Sequence, residues 1–295
     1  MIHSKIRLGF SDYVQRQIRA AMVARLTRSN AQKQSTGIAC FPRDYIGRHI
    51  IANGAYEDLL LRCLFEQTFA ARLAMFKTTA ALDVGANIGN HSAWFARHFQ
   101  RVIAFEPNPI CAHLFEASRM MNRLSGVRLF PCGLSDRDGT AVLLANLRGN
   151  LGGSRIAEPG EPLVSDSFDI LVRRGDGVLT EAKESSAISL IKLDVEGHEH
   201  AAIHGLEQTI RTNKPIVLFE AQGSRGYNGS LAILDSLAQM GYRRTYVMLA
   251  DARRSSNRLA RLFQRVVRGF EICVVEVDQP EDRYYSLIIA TVDPL

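Results

Sequence analysis

Short runs of hydrophobic residues alternate with longer amphipathic stretches over most of the chain. The runs are bounded by turn residues, as is typical of buried strands in a parallel sheet. They cover residues 80–84, 102–105, 127–131, 188–193 and 216–219. Between them, apolar residues recur with helical spacing at 90–99, 109–124, 198–211 and 230–240. This alternation predicts an α/β protein with a doubly wound, Rossmann-like sheet.

The segment before the first strand has a helical pattern. We predict one amphipathic helix over residues 11–27, with apolar residues four positions apart among arginines. These apolar residues are Val14, Ile18, Met22 and Leu26. Docking on the core is the favoured interpretation of this helix, with a membrane surface or a partner as alternatives. Residues 45–52 are expected to be extended, and a second helix is expected over about 56–76.

The rest of the chain adds three strand candidates and a basic insertion. The strand candidates are 243–249, 270–278 and 285–292. A helix with six arginines between 253 and 268 lies in the insertion, about 251–283. We interpret its charge first as a solvated face, with a polyanion or membrane surface as the alternative. A longer excursion at 139–186 contains a glycine-rich stretch.

Composition and charge indicate a globular protein but do not identify its function. With 46% hydrophobic and 22% charged residues the chain is an ordinary globular protein, and its net charge of +6 is compatible with an anionic partner or with a mildly basic enzyme. Its five widely spaced cysteines indicate free thiols in a reducing compartment. Because neither a secretion signal nor a membrane-spanning run is apparent, we predict a cytoplasmic protein.

The first strand of the α/β pattern leads into a turn suited to a ligand. Asp83 is the penultimate residue of that strand, and Gly85, Asn87 and Gly89 follow in a turn that opens a helix. In such sheets ligands bind at the carboxyl ends of the strands. Glu106 ends the next strand, 23 positions after Asp83, where a carboxylate accepts the two hydroxyls of a ribose. Together these residues predict a nucleoside-bearing cofactor.

The turn distinguishes between two such cofactors. It lacks the middle and last glycines of the dinucleotide motif, and its helix start suits a zwitterionic amino-acid tail facing Asn87 and backbone amides. We therefore predict S-adenosyl-L-methionine rather than NAD. Asp136, after the third strand, is a candidate acceptor for the adenine amine, although a simple turn carboxylate is an equal alternative.

The fourth strand ends in a cluster of ionisable residues. Asp194, Glu196 and His198 follow it directly, and Glu220 ends the fifth strand at the same predicted edge. Methyl transfer to a hydroxyl requires a group that takes up the hydroxyl proton, so we predict that these four residues form the catalytic site, with His198 as the candidate base. Metal binding by this cluster is an alternative, but the spacing specifies no metal and we assign no metal ligands. Glu199 and His200 are also explained as the start of a helix.

With these residues in view, the chain resembles the FkbM family of methyltransferases. The matching segments are 83–92, 105–109, 134–136, Asn150 with Gly153 and Ser154, 191–199 and 215–220. The resemblance implies a class I methyltransferase fold: a seven-stranded, mostly parallel sheet with one antiparallel edge strand, plus N-terminal helices. It also implies O-methyl transfer to a hydroxyl of a sugar, glycan or natural product. Gly54, Tyr56 and Glu57 resemble the family's element at the cofactor mouth, which adds Glu57 to the cofactor-binding candidates.

We predict that the chain consists of two parts. Residues 1–76 are an N-terminal helical extension that includes the cofactor-mouth segment, and residues 77–295 are the methyltransferase domain. A nucleic-acid methyltransferase and a non-catalytic cofactor-binding scaffold are alternatives; the strand end lacks the Pro-Pro-aromatic element that holds a flipped base. We expect a small-molecule or glycan acceptor and no stable nucleic-acid partner, with peripheral membrane contact through the basic helices as a conjecture.

Overall fold

A computed structural model describes residues 10–33, 36–146, 150–158, 160–162, 166–221, 223–250 and 271–295. The arginine-rich helix predicted between 253 and 268, and Gln222, lie outside these residues. The helices are α1 Phe10–Lys33, α2 Tyr45–Asn53, α3 Asp58–Arg62, α4 Leu73–Phe76, α5 Asn90–Phe95, α6 Pro109–Met121, α7 Gly175–Glu181, α8 Glu199–Gly205, α9 Glu207–Asn213 and α10 Gly223–Gln239. A π-helix, Cys63–Thr68, and 3-10 turns at Ala70–Arg72 and Leu151–Gly153 complete the helical elements of this part of the chain.

The main sheet of the described residues has eight strands. They are β1 Ala80–Val84, β2 Arg101–Phe105, β3 Val127–Phe130, β8 Ile188–Leu193, β9 Ile216–Ala221, β10 Arg244–Ala250, β11 Ile272–Val277 and β12 Tyr285–Thr291. Their order across the sheet is β3-β2-β1-β8-β9-β12-β10-β11, and the first five are parallel. The α/β, doubly wound prediction is confirmed, and so are all three strands predicted near the carboxyl terminus.

The far end of the sheet differs from the predicted seven strands with one reversed edge. Strand β12 runs antiparallel to both β9 and β10, so one reversed strand lies inside the sheet, and the edge strand β11 is a second one. Strand β11 pairs antiparallel with β10 and forms the edge as an eighth strand. Hydrophobic residues in β11 complete the cover of the Cys63–Thr68 segment, because Ile272 and Val274 pack in the same core cluster as Leu64.

A second, smaller sheet occupies the excursion between β3 and β8. Its strands are β4 Gly133–Leu134, β5 Gly139–Leu144, β6 Arg155–Ile156 and β7 Ser167–Arg173, in the order β4-β7-β5-β6. The sequence predicted no strands here, since the alternation is short and one face is half-exposed. This sheet brings the loop 150–154 over the carboxyl ends of the main strands.

The expectation of an extended segment at 45–52 is wrong, because α2 occupies it. The side chain of Asp44 accepts hydrogen bonds from the amides of Ile46 and Gly47, which caps the helix, and Gly54 ends it at a φ of 96°. Ile46 and Ile50 are buried one turn apart, which is a helical spacing. The Asp44 cap and these buried contacts therefore favour the helix over the predicted extended segment.

Register places the strand ends at one level. Val84 pairs with both Phe105 and Leu193, and Leu193 pairs with Phe219. The residues that follow these positions therefore lie side by side at one edge of the sheet. The candidate residues after four separate strands meet there.

Two apolar layers cover the faces of the main sheet. Alternate residues of a strand point to opposite faces, so Leu82 packs with α8 and α9 whereas Ala81 packs with the aromatic residues before and within α5. Phe65, Phe69 and Phe76, from the segment before β1, are fully buried in this second layer. Residues 60–76 thus share the core of the sheet, and the boundary at residue 77 stays a prediction.

Helix α1 extends further than predicted and does not dock on the core. Ile18, Met22 and Leu26 are 55%, 60% and 41% exposed. The favoured interpretation, that this apolar stripe is packed, is therefore wrong for these side chains. Among the described residues, no helix combines the length and hydrophobicity needed to cross a bilayer.

Candidate active site

The turn after β1 passes very close to the end of β8. Gly85 has a φ of 77°, and a Cβ on it would lie 1.9 Å from the carbonyl oxygen of Asp194. A side chain at this position is therefore excluded both by contact and by backbone conformation. The amides of Gly85 and Ala86 both donate to the carbonyl of Phe105, so this turn is tied to β2 as well.

Glu106 links the same turn to the end of β2. Its Oε2 accepts the Asn87 amide at 2.8 Å and its Oε1 accepts the Asn108 amide at 2.7 Å. Burial raises the pKa of this carboxyl to about 7, although the two amide hydrogen bonds oppose that shift. The Asn87 amide, which the sequence assigned to the ligand's carboxylate, is already paired within the protein.

A cavity of about 210 Å³ opens beside Glu106. Gly85, Asn87 and Glu106 form part of its wall at the ends of β1 and β2. The loop 150–154 forms another part, anchored by Asp44, whose Oδ1 accepts the Leu151 amide at 2.8 Å. One aspartate therefore both caps α2 and holds the loop over the strand ends.

Gly89 and Asp136 are two of the predicted cofactor residues that lie outside the wall of this cavity. A Cβ on Gly89, whose φ is 88°, would lie 2.7 Å from the ring of Phe115, so this glycine allows α6 to pack on the turn. Asp136 is exposed and accepts a hydrogen bond from the Ser135 hydroxyl at 3.1 Å. Neither is among the residues that line the cavity.

Asp83 lies fully buried beneath the turn. The hydroxyl of Ser92 donates to its Oδ2 at 2.6 Å, and the ammonium of Lys192 lies 3.6 Å from its Oδ1. The same ammonium donates to Asp194 Oδ2 at 3.1 Å. Burial alone would lower the pKa of Lys192, but the carboxylates of Asp194 and Asp83 outweigh it and raise that pKa above its usual value.

A smaller cavity of about 60 Å³ adjoins the first across Lys192 and Asp194, which line both. Leucines of α3, β9 and β12 form its floor. Glu57, His91 and Glu220 lie at its polar end, where His91 Nε2 and Glu57 Oε2 are 3.2 Å apart. The predicted cofactor residue Glu57 therefore borders the smaller cavity, outside the wall of the larger one.

Glu220 is the half-buried carboxylate at the junction of the two cavities. Burial, and next the charge of Asp194, raise its pKa to about 7, although a hydrogen bond with Tyr284 opposes the shift. A carboxyl group with this pKa changes protonation near neutral pH, as a general base does. Glu220 and Asp194 thus differ in environment, because the buried Lys192 ammonium donates a hydrogen bond to Asp194.

His198 and Glu196 line the larger cavity but not the smaller one. The His198 Nε2 lies 3.0 Å from the Ser135 hydroxyl, on the side of the cavity formed by Gly133 and Leu134. Burial lowers the pKa of His198, opposed by Asp136. The structure therefore separates the predicted catalytic set, with Asp194 and Glu220 on both cavities and His198 on one.

The interpretation of Glu199 and His200 as the start of a helix agrees with the structure. Glu199 is the first residue of α8, and its carboxylate accepts the amides of Val195 and Gly197. His200 is exposed beside His204. Within the described ranges, no group of three or more His, Cys, Asp or Glu side chains has an arrangement suited to a metal ion.

The family model for the methyltransferase FkbM domain matches residues 83–244. This span covers more than half of the chain and includes every strand end described above. The chain belongs to the FkbM methyltransferase family. Membership confirms the resemblance and the S-adenosyl-L-methionine cofactor that it implied.

Two curated fungal proteins are similar to this FkbM family member. Methyltransferase sdnD of Sordaria araneosa is 30% identical over 155 residues, which are 43% of this chain and 60% of that protein. Methyltransferase 1 of Beauveria bassiana (strain ARSEF 2860) is 27% identical over 145 residues, 43% of this chain and 57% of that protein. The chain thus spans less than two thirds of the length of either relative.

Solved structures are more distant. The methyltransferase FkbM from Methylobacillus flagellatus KT has a TM-score of 0.41 and 18% identity, over 72% of this chain and 44% of that one. The O-methyltransferase TomG from Streptomyces achromogenes, solved with SAM, has a TM-score of 0.43 and 11% identity, over 81% of this chain and 82% of that one.

The FkbM site contains residues that sequence reasoning did not select. Lys192 lines both cavities. Its position could have been recognised from the sequence, because it is a lysine within the apolar run of β8, where every residue is buried. Asn90 both accepts the Tyr56 amide and donates to the Tyr56 carbonyl, which fastens the cofactor-mouth segment to α5. No local pattern in the sequence indicates that second pairing, because 34 positions separate the two residues.

Proposed function

We propose that the chain is an S-adenosyl-L-methionine-dependent O-methyltransferase that acts on a hydroxyl of a sugar, glycan or natural product. The observation that carries this proposal is the meeting of two cavities at Lys192 and Asp194, with Glu106 on the larger and Glu220 at their junction. One cavity offers groups suited to a nucleoside, and the other offers a carboxylate suited to a hydroxyl proton.

Glu106 is the residue we assign to the ribose. Each of its oxygens uses one lone pair for a backbone amide, and a carboxylate oxygen has a second lone pair for a hydroxyl. Gly85 and Asn87 would form the wall beside the amino-acid tail, with Gly85 allowing close approach of the ligand. Gly89 allows α6 to pack on the turn after β1, and Asp83 contacts Ser92 and Lys192 beneath it. We therefore assign both residues a role in positioning this turn.

The other two predicted cofactor residues, Asp136 and Glu57, lie outside the wall of the larger cavity. The carboxylate of Asp136 is exposed and outside the cavity wall, so a contact with the adenine amine would require the Ser135–Asp136 loop to turn inward. Glu57 contacts His91 at the smaller cavity. This position supports a role for Glu57 in orienting the acceptor and not in binding the cofactor.

When bound, the cofactor supplies a methyl group activated by a sulfonium. The protein's part is to align the acceptor oxygen and to receive its proton. We assign the proton to Glu220: as the acceptor oxygen takes up the methyl group, the bond from that group to the cofactor's sulfur would break and leave a neutral thioether, and the hydroxyl proton would pass to the Glu220 carboxylate. Asp194, held by the Lys192 ammonium, would accept a hydrogen bond from the acceptor and orient it.

This assignment changes the proposed role of His198. Its hydrogen bond to Ser135 and its place on the larger cavity support a role in shaping the cofactor side. Glu196, also on the larger cavity, has a φ of 51° and forms the tight turn that brings His198 into the wall. The carboxylates around the two cavities disfavour a polyanionic acceptor, which supports a small acceptor over a nucleic acid.

Calorimetric titration tests the cofactor part of the proposal. The full chain is titrated with adenosylhomocysteine and with NAD, alongside Glu106→Gln and the control Glu116→Gln, a partly exposed glutamate of α6 paired with Arg119. We expect micromolar binding of adenosylhomocysteine but not of NAD, weakened about 10- to 100-fold by Glu106→Gln alone. Equal affinities in the two variants would refute the assignment of Glu106, and binding of NAD in preference would refute the cofactor.

A further inference from the structure

Helix α1 exposes four large apolar side chains, Ile18, Met22, Val23 and Leu26, and all of them except Val23 share one face. Ile18, Met22 and Leu26 are 55%, 60% and 41% exposed, although α1 lies beside α2. At about 100° of rotation per residue, these positions fall within an arc of about 80° on one side of the helix. Exposed hydrophobic residues gathered on one face indicate an interaction site rather than chance exposure.

Arginines flank this face on both sides. By the same rotation, Arg25 and Arg28 lie on one side of the apolar arc and Arg19 and Arg16 on the other. All four side chains are exposed. Residues 10–33 contain these four arginines and Lys33 against a single acid, Asp12, and the nine residues before them contain further basic side chains but no acid.

We propose that α1 binds the surface of an anionic lipid bilayer, lying in the plane of the headgroups. The apolar face would enter the boundary between headgroups and acyl chains, while the arginine stems extend outward and place their guanidinium groups at lipid phosphates. An anionic bilayer surface has charged headgroups above an apolar region. The arginines beside the apolar face of α1 match the headgroups, and the apolar face itself matches the region below them.

A nucleic acid and a second copy of the chain match the face less well than a bilayer does. A nucleic acid would pair with the arginines but would offer no apolar layer to Ile18, Met22 and Leu26. A second copy of the chain would bring two strongly basic helices together, and their like charges would repel. An acidic amphipathic protein segment would satisfy both features, and the test below separates it from lipid.

Vesicle co-sedimentation of the full chain tests the proposal. The vesicles are pure phosphatidylcholine or phosphatidylcholine with about one third phosphatidylglycerol, at physiological ionic strength. The charge variant is Arg16→Gln/Arg19→Gln/Arg25→Gln/Arg28→Gln, and the apolar variant is Ile18→Ser/Met22→Ser/Leu26→Ser.

Each variant has a matched control away from α1. For charge the control is Arg123→Gln/Arg128→Gln/Arg211→Gln/Arg243→Gln, which lowers the net charge equally from exposed positions. For apolar exposure it is Met120→Ser/Met121→Ser/Leu171→Ser, at side chains that are 70%, 69% and 57% exposed. Circular dichroism and adenosylhomocysteine binding check that every variant is folded.

We expect the full chain to bind the anionic vesicles and not the neutral ones. An arginine near an anionic surface is worth about a fivefold change in partitioning, so the charge variant should bind at least about 30-fold more weakly. The apolar variant should also lose at least about 10-fold. Both controls should bind within about threefold of the original chain.

Three results would overturn the proposal. The first is an absence of binding to anionic vesicles by the folded full chain. The second is a loss in the controls equal to that in the α1 variants, which would assign the effect to overall charge. The third is binding of a short DNA duplex that depends on the arginines but not on the apolar face, with no vesicle binding. Because adenosylhomocysteine binding is measured separately, none of these results bears on the proposed methyltransferase activity.

Discussion

Lys192 and Asp83 face each other across neighbouring strands, with the ammonium 3.6 Å from the carboxylate and both side chains buried. The two residues are register partners in β8 and β1, so their side chains leave the sheet on the same side. Directly after the end of β8, Asp194 accepts a hydrogen bond from the same ammonium. One buried cation therefore connects the base of the cofactor turn to the proposed reaction site.

Removing this cation should destabilise the protein strongly. In Lys192→Met the Asp83 carboxylate stays buried without its charged partner, and we expect the free energy of unfolding to fall by about 3–5 kcal/mol. Urea unfolding monitored by circular dichroism measures this. Lys77→Met, at an exposed lysine, serves as the control, and Lys192→Met/Asp83→Asn should recover part of the loss. A single-variant loss no greater than that of the control would contradict the buried pair.

Methyl transfer should depend on the ionisation of Glu220. Because the pKa of this carboxyl is raised to about 7, a base at this position is active above that pH. With an acceptor found by screening sugars and natural products with labelled cofactor, kcat/KM should rise with pH through about 7 and then level off.

The Glu220→Gln variant should lower the transfer rate by about 100-fold or more and remove the pH step. Glu276→Gln, an exposed glutamate of β11 paired with Arg244, is the matched control and should leave both unchanged. A pH step that persists in Glu220→Gln would assign the base to another residue.

His198 should contribute less to the chemical step than Glu220. Its ring is hydrogen-bonded to Ser135 and lines only the larger of the two cavities. We expect His198→Ala and Ser135→Ala to weaken adenosylhomocysteine binding by similar factors, about 3- to 10-fold, since each removes the same hydrogen bond. Single-turnover rates at saturating cofactor should change little. A His198→Ala rate loss as large as that of Glu220→Gln would restore the histidine as the base.

Gly89 should be required for packing as well as for backbone conformation. With a φ of 88° and the Phe115 ring 2.7 Å from an added Cβ, Gly89→Ala should cost about 1–3 kcal/mol of unfolding free energy. Gly177→Ala is the control, because a Cβ there meets nothing within 4 Å and the residue lies inside α7. The control should be neutral or slightly stabilising, and equal melting temperatures for the two variants would contradict the contact.

Stability should fall as pH rises toward neutrality. The folded-state pKa of Glu106 is about 7, above the usual value of 4.5, so the folded protein binds this proton more tightly than the unfolded chain does. The associated stability is present below about pH 4.5 and is lost as pH rises through 7. Urea unfolding between pH 5 and 8 should show a flatter profile for Glu106→Gln than for Glu116→Gln, and parallel profiles would contradict the shift.

Local patterns predicted much of this protein correctly. The five parallel strands, the helices between them, the turn after β1 and the carboxylates at strand ends all follow from periodicity and turn chemistry over ten or so neighbouring residues. They failed at residues 45–52, where an extended segment was expected but the Asp44 side chain caps a helix. They also missed β5 and β7, whose pairing depends on contacts between separate segments.

The sequence by itself determined the fold class, the cofactor and the set of residues at the strand ends. The tertiary structure decided how those residues divide: Glu106 and His198 on the larger cavity, Glu57 on the smaller, Asp194 and Glu220 on both, and Asp83 beneath them. It also made Lys192 the link between them. The reason is physical, because residue spacing determines which edge of the sheet a side chain reaches, whereas strand register and packing across the sheet determine its neighbours there.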